Sequence, residues 1–106
     1  MEYHYVVVFI TVDSQETAQK ITDKLLTERK AACVNIIPKV ESHYWWQDKI
    51  ESANELLLIV KTRAVLLDDL IKLVKQNHPY TIQEIIALPI IGGNEDYLNW
   101  VDRETE

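Results

Sequence analysis

Side chains able to hold a metal or attack a substrate are few in this chain. One cysteine, Cys33, and three histidines, His4, His43 and His78, are its soft or borderline donors. His78 stands in Asn77-His78-Pro79-Tyr80, at a helix stop, because the residue before a proline is pushed out of the helical region. Glu84 follows six residues later, and a histidine brought near a carboxylate can hold copper or zinc. No HxxxH or CxxC pair is present, so such a site needs Cys33, His43 or a neighbouring subunit to complete it. The other reading of His78 is a side chain that closes a helix end. Cys33, beside Ala31, Ala32 and Val34, reads as a thiol ligand or nucleophile, or as the small buried hydrophobe that free cysteine usually is. His4 reads as solvated, and His43, alternating with Trp45, as lining an interface.

A second group could bind rather than react. Lys61 ends an apolar run, and Tyr44, Trp46 and Tyr80 can supply aromatic walls. A cleft between subunits, edged by Lys61, Glu84 and these rings, would suit a small anionic or zwitterionic ligand. The same residues would also serve as a polar strand end and as interface anchors. Gly92-Gly93 lies between a strand and a helix, where its amides could meet an anion. The rest of a phosphate-binding motif is missing, and a plain turn explains the pair.

These residues must be positioned by a long ribbon, Val34 to Lys61, which reads as two extended runs meeting at Gln47-Asp48. Val, Ile, Tyr and Trp suit a pleated, half-buried surface, and Asp48 tolerates the positive φ of a two-residue hairpin turn. That turn sets Trp46 opposite Lys49 and Tyr44 opposite Glu51. The first run alone would reach about 43 Å at 3.3 Å per residue. A domain of this length has a diameter of roughly 33 Å, so the hairpin overhangs its own globule unless Pro38 folds it back. Tyr44, Trp45, Trp46 and Ile50 at its far end form an apolar tip too large to leave in water. Packing on another copy of the chain is the expected resolution.

Around the ribbon, Tyr3 to Val12 reads as a first strand. Asp13, with Glu16 three residues on, starts a helix that runs to about Lys30. Thr62 can cap a second helix with an apolar stripe of Leu66, Leu67, Leu70, Ile71 and Val74, stopped at Asn77 to Pro79. Ile82 to Ile91 reads as a fourth strand, with Pro89 implying an edge or a bulge. Asn94 caps a final helix that points Tyr97, Leu98 and Val101 inward. The order β-α-β-β-α-β plus a helix predicts an α+β, ferredoxin-like (split βαβ) antiparallel sheet in one domain spanning 1–106. Two helices cover one face of such a sheet, and the other face needs cover too.

At 106 residues the chain can bury a single core. The net charge of -6 argues against nucleic acid, whose binding relies on Lys and Arg neutralising phosphates, and against anionic membrane surfaces. A single cysteine permits no intrachain disulfide and fits a reducing compartment. The N-terminal apolar run has no positive segment before it, unlike a signal peptide. No apolar run approaches the roughly 20 residues of a membrane span. The expected location is the cytoplasm.

Several segments together carry a family resemblance. AACVNI (31–36), SHYWWQDKI (42–50), ELLLIVKT (55–62), HPY (78–80), EIIALPI (84–90) and YLNW (97–100) resemble the CutA divalent-cation-tolerance family, in order and over almost the whole chain. The resemblance implies a ferredoxin-like subunit in a tight homotrimer with hairpins interlocking around the threefold axis. It implies a cytoplasmic protein linked to tolerance of divalent cations, chiefly copper, and the reading adopted is a protein of low or no catalytic activity. It also implies kinship with PII-like signalling trimers, which bind small ligands between subunits. On this basis copper(II) is expected at His78, a ligand cleft at Cys33, Tyr44, Lys61, Tyr80 and Glu84, and a trimer interface at Tyr44, Trp45, Trp46 and Trp100. The chain departs from the family where Asp48 replaces a usual turn glycine, where Gln83 replaces a proline before Glu84, and where Ile10 and Asn77 replace a cysteine and a histidine of metal-binding members. His78 alone remains of that ligand set.

Overall fold

Residues 3–106 are described by a computed structural model. Strand β1 (Tyr5–Val12) leads to helix α1 (Gln15–Thr27), then to the hairpin strands β2 (Cys33–Trp46) and β3 (Lys49–Arg63). Helix α2 (Leu67–Gln76), strand β4 (Ile85–Pro89) and helix α3 (Glu95–Glu104) follow. The sheet order is β2-β3-β1-β4 and the paired neighbours run antiparallel. β3 thus lies between β1 and β2, the split βαβ arrangement the element order predicts.

Alternation divides the sheet. Val6, Val8, Ile10 and Val12 of β1, with Leu58 and Val60 of β3, are buried in a core with Ala18, Ile21 and Leu25 of α1 and Leu70 and Val74 of α2. Successive residues point to opposite faces, so Val7, Phe9, Leu57, Ile59, Ile86 and Leu88 line the other face, as their cross-strand pairing requires. Helix α3 covers only one end of that face. It is pinned there by the Asp102 carboxylate, which accepts from Tyr5 Oη at 2.5 Å and lies 2.7 Å from His4 Nε2. Arg63 Nε also donates to Thr105 Oγ1 at 2.8 Å. His4 is therefore held in this network, not merely solvated.

The hairpin turn has φ of 50° at Gln47 and 64° at Asp48, the two positive values of a type I′ turn. Trp46 pairs with Lys49 and Tyr44 with Glu51, as the turn placement requires. Pro38 does not fold the run back. A bulge between Ile37 and Val40, with Lys39 at φ 61°, absorbs it, and pairing resumes at Val40 and Glu55. An edge strand tolerates a residue without an N–H in this way. The molecule measures 44 × 26 × 23 Å, so the hairpin does overhang.

Several element boundaries differ from expectation. Ser14, not Asp13, caps α1, because Ser14 has the extended backbone and its Oγ accepts from Thr17 N–H at 3.1 Å. The helix stops at Thr27, where Arg29 takes φ 60° and Lys30 N–H and Arg29 N–H return to the Leu25 and Leu26 carbonyls. This is a Schellman closure with arginine in the usual glycine position. Thr62 caps nothing. It stays in β3 opposite Val6, fully buried, and its hydroxyl donates to the Lys30 carbonyl at 2.6 Å. A 3-10 turn, Ala64–Leu66, precedes α2 instead. β4 is half the expected length, with Pro89 ending it at the sheet edge, while Asn94 caps α3 by accepting from Asp96 N–H at 3.0 Å.

Candidate functional site

The five residues expected to share a cleft fall into two places. Cys33 and Lys61 are cross-strand partners on β2 and β3, at the end of the sheet that α3 covers. Lys61 Nζ lies 3.9 Å from Cys33 Sγ and donates to Asn35 Oδ1. Burial first, and then the Cys33 thiol beside it, push the Tyr97 phenol above its ordinary pKa. Tyr44, Tyr80 and Glu84 are at the other end, and Glu55, next to them on β3, is six residues from Lys61, roughly 20 Å along the strand. Within one chain, then, the cleft is split, because a strand carries its two ends apart however similar their chemistry.

At the second end the hairpin and the 79–84 segment enclose a cavity of about 780 Å³, lined by Tyr44, Trp46, Glu55, Tyr80 and Glu84 among others. Ser42, Tyr44 and Trp46 share the sheet face of Glu55, since Val40 pairs with Glu55 and alternate residues follow it. Glu55 is 93 % buried, at 7 % exposure, and its Oε2 accepts from Tyr80 Oη at 2.7 Å. Burial and then the Glu55 bond drive the Tyr80 phenol far above its ordinary pKa, with smaller contributions from the Asp13 carboxylate and Tyr44. Tyr80 therefore acts as a donor throughout the physiological range. Sequence reading passed over Glu55. The available signal was a carboxylate opening the apolar run Leu56-Leu57-Leu58-Ile59-Val60, at a position that alternation places on the face of Leu57 and Ile59.

His78 fixes the segment that walls this cavity. Its ring is buried, Nδ1 accepts from Tyr80 N–H at 3.2 Å, and Nε2 therefore carries the proton donated to the Thr11 carbonyl at 2.8 Å. That carbonyl lies one residue beyond Ile10–Ile85, where the pairing of β1 with β4 ends. Asn77 closes α2 by donating from Nδ2 to the Leu73 carbonyl at 2.8 Å. Copper(II) at His78 would have to displace one of two backbone partners. Among the described residues no three His, Cys, Asp or Glu side chains are grouped to hold a metal. Ile10 is fully buried in the core and carries no metal-binding group. The residues of a single chain around His78 do not fit a copper ion.

Trp45 and Ile50 are paired at the hairpin tip and are 72 % and 69 % exposed, whereas Trp100 is half-buried with its ring 5.5 Å from that of Tyr97. His43 Nε2 lies 2.7 Å from a Glu41 carboxylate oxygen. No helix among the described residues is long and apolar enough to cross a membrane.

Comparison with known proteins gives a consistent result. A family model described as CutA1 divalent ion tolerance protein matches residues 6–104. The chain is 48% identical over 100 residues to Protein CutA 1, chloroplastic, of Oryza sativa, matching 94% of this chain and 56% of that protein. It therefore spans about half the length of the plant relatives it matches. It is 50% identical over 99 residues to the divalent-cation tolerance protein CutA of Thermus thermophilus, over 93% of this chain and 96% of that one. The crystal structure of CutA1 from Oryza sativa superposes with a TM-score of 0.95 at 46% identity, covering 98% of this chain and 95% of that chain.

Proposed function

The chain belongs to the CutA1 divalent ion tolerance family, and on that premise we propose that it is a homotrimeric protein of divalent-cation tolerance in the cytoplasm, with no catalytic step of its own. One observation carries the assembly. The sheet face opposite the helices is apolar, and Ile37, Ile86 and Leu88 on it are 40 %, 50 % and 43 % exposed. It continues along the hairpin through Tyr44 and Trp46, which are 43 % and 36 % exposed. Apolar surface so continuous is normally covered. The resemblance, not the geometry, supplies the number three. The cytoplasmic location rests on the lone cysteine, although the rice relative is named chloroplastic.

Copper(II) is the ion this reading puts to the test. Because one chain does not fit it at His78, direct binding would require side chains from more than one copy. Light scattering should give a mass three times the 12.4 kDa chain. A competition titration of copper(II) into the protein and into His78→Ala should then show binding at a simple fraction per chain, lost in the variant. A monomer mass removes the assembly. Weak binding that His78→Ala leaves unchanged makes copper tolerance an indirect effect.

A second reading is favoured by the cavity itself: a PII-like trimer that signals through a small ligand held near Tyr44, Tyr80 and Glu84. Its volume lies in the range of small-molecule sites, roughly 300–1,000 Å³. An enzyme acting through Cys33 is a third reading. Unchanged activity and stability in Cys33→Ala would exclude it.

A further inference from the structure

Two opposite charges on the uncovered sheet face have no counter-ion in their own chain. Along β3, alternation puts Glu55, Leu57, Ile59 and Lys61 on the face opposite α1 and α2. Glu55 is 7 % exposed, and among the described residues the one polar partner of its side chain is the neutral Tyr80 hydroxyl, on Oε2. Its Oε1 keeps some contact with solvent, since the only side-chain oxygen sealed without a partner among the described residues belongs to Thr22. Lys61 is half-buried, and its ammonium meets only the neutral Asn35 amide and Cys33 thiol. Covering this face shuts water away from both charges, and a buried charge without a partner is strongly unfavourable. The cover must therefore bring a cation to one end and a carboxylate to the other.

Within one chain the two cannot pair, because six residues of strand hold them roughly 20 Å apart. Between copies they can. An isologous interface sets residue i on j and j on i, and a closed ring sets one patch on a different patch of the neighbour. Either lets the Glu55 end of one copy meet the Lys61 end of the next, with Leu57 and Ile59 as the apolar surface between the charges. Two other cations fall on this face by alternation, and both are less suited. Arg63 donates to Thr105 and lies 3.9 Å from Asp102, and Lys49 is exposed at the hairpin turn.

We propose that Glu55 of one copy pairs with Lys61 of a neighbouring copy across the covered face, so that each copy completes a charge the other leaves open. The proposal rests on the assembly reading above and names a contact within it. It also gives Tyr80 and His78 a role, because the bonds of His78 to Thr11 and Tyr80 hold the phenol that orients Glu55.

A double-mutant cycle on the assembly tests it. Glu55→Gln and Lys61→Gln remove one charge each, and Tyr80 can still donate to the amide oxygen. Light scattering along a dilution series reads the concentration at which the assembly half-dissociates, with circular dichroism as the check on folding. Each single substitution should raise that concentration about tenfold or more, because it leaves the partner charge buried alone. The double substitution should raise it no further than the worse single. Sites roughly 20 Å apart in one chain ordinarily add, so the missing additivity locates the contact between copies. Lys49→Gln should not couple to Glu55→Gln. If Glu55→Gln fails to fold, Lys61→Gln against Lys61→Arg decides, since arginine keeps the charge and should keep the assembly. The proposal is overturned if the double loss is the product of the two single losses, if Lys61→Gln assembles like the parent chain, or if Lys49→Gln couples in its place. Any of these with an oligomeric parent chain leaves the assembly standing, whereas a monomeric parent chain overturns the assembly and the pairing with it.

Discussion

A buried carboxylate is tolerable only when something donates to it. For Glu55 that donor is Tyr80, and the pair is the most consequential polar contact at the candidate site. Tyr80→Phe removes one partner and leaves the other buried, so it should lower stability by about 2 kcal/mol in denaturant titration. The pH dependence has a definite sign. The Tyr80 pKa is raised by folding, so its contribution is fully present below the ordinary phenol value of 10.0 and is lost as pH rises through the folded value. Tyr80→Phe should therefore flatten the alkaline limb of the stability profile. An unchanged alkaline limb would mean that the phenol is freely solvated. His78 belongs to the same unit, since both its ring nitrogens are spent on backbone partners.

Elements are positioned here by their ends more than by their middles. Helix α1 begins where Ser14 can accept from Thr17 N–H and ends where Arg29 enters the left-handed region. Ser14→Ala should cost about 1 kcal/mol, while Asp13→Ala should cost clearly less; equal losses would restore Asp13 as the cap. The hairpin keeps its register because Gln47 and Asp48 both adopt positive φ and because the bulge at Pro38 inserts its irregularity on the edge strand. Register matters for function. Shifting β2 by one residue past the bulge would turn Tyr44 and Trp46 away from Glu55 and dismantle the cavity.

The molecule as a whole is a sheet covered on one face by α1 and α2 and on the other by only one short helix, α3, at one end. The Tyr5 hydroxyl first, and then His4, hold the Asp102 carboxylate below its ordinary value of 3.8. A carboxyl pKa lowered by folding contributes stability above the ordinary value and loses it as pH falls through the folded value. Asp102→Asn should therefore remove part of the acid sensitivity below about pH 4 and loosen α3, readable as faster amide exchange along residues 95–104. Identical acid profiles would place the docking of α3 on Val101 packing alone. The rest of that face, including Ile37, Ile86 and Leu88, is left exposed in the single chain.

Periodicity and turn chemistry were enough to read the element order, the split βαβ sheet, the hairpin turn at Gln47-Asp48 and the overhang, because each is set by local backbone preference and by alternation along one strand. Thr62 and Asp13 were misread because both are cap residues by type, and only the backbone around them shows which one is used. The site was legible in pieces. Within one chain Tyr44, Tyr80 and Glu84 line one cavity, while Cys33 and Lys61 meet each other at the far end of the sheet, and Glu55 gave no local sign beyond its place before an apolar run. Whether side chains far apart in sequence converge depends on which strand lies beside which, and in what register. That was decided only when β3 inserted between β1 and β2 and the 79–84 segment closed over its end.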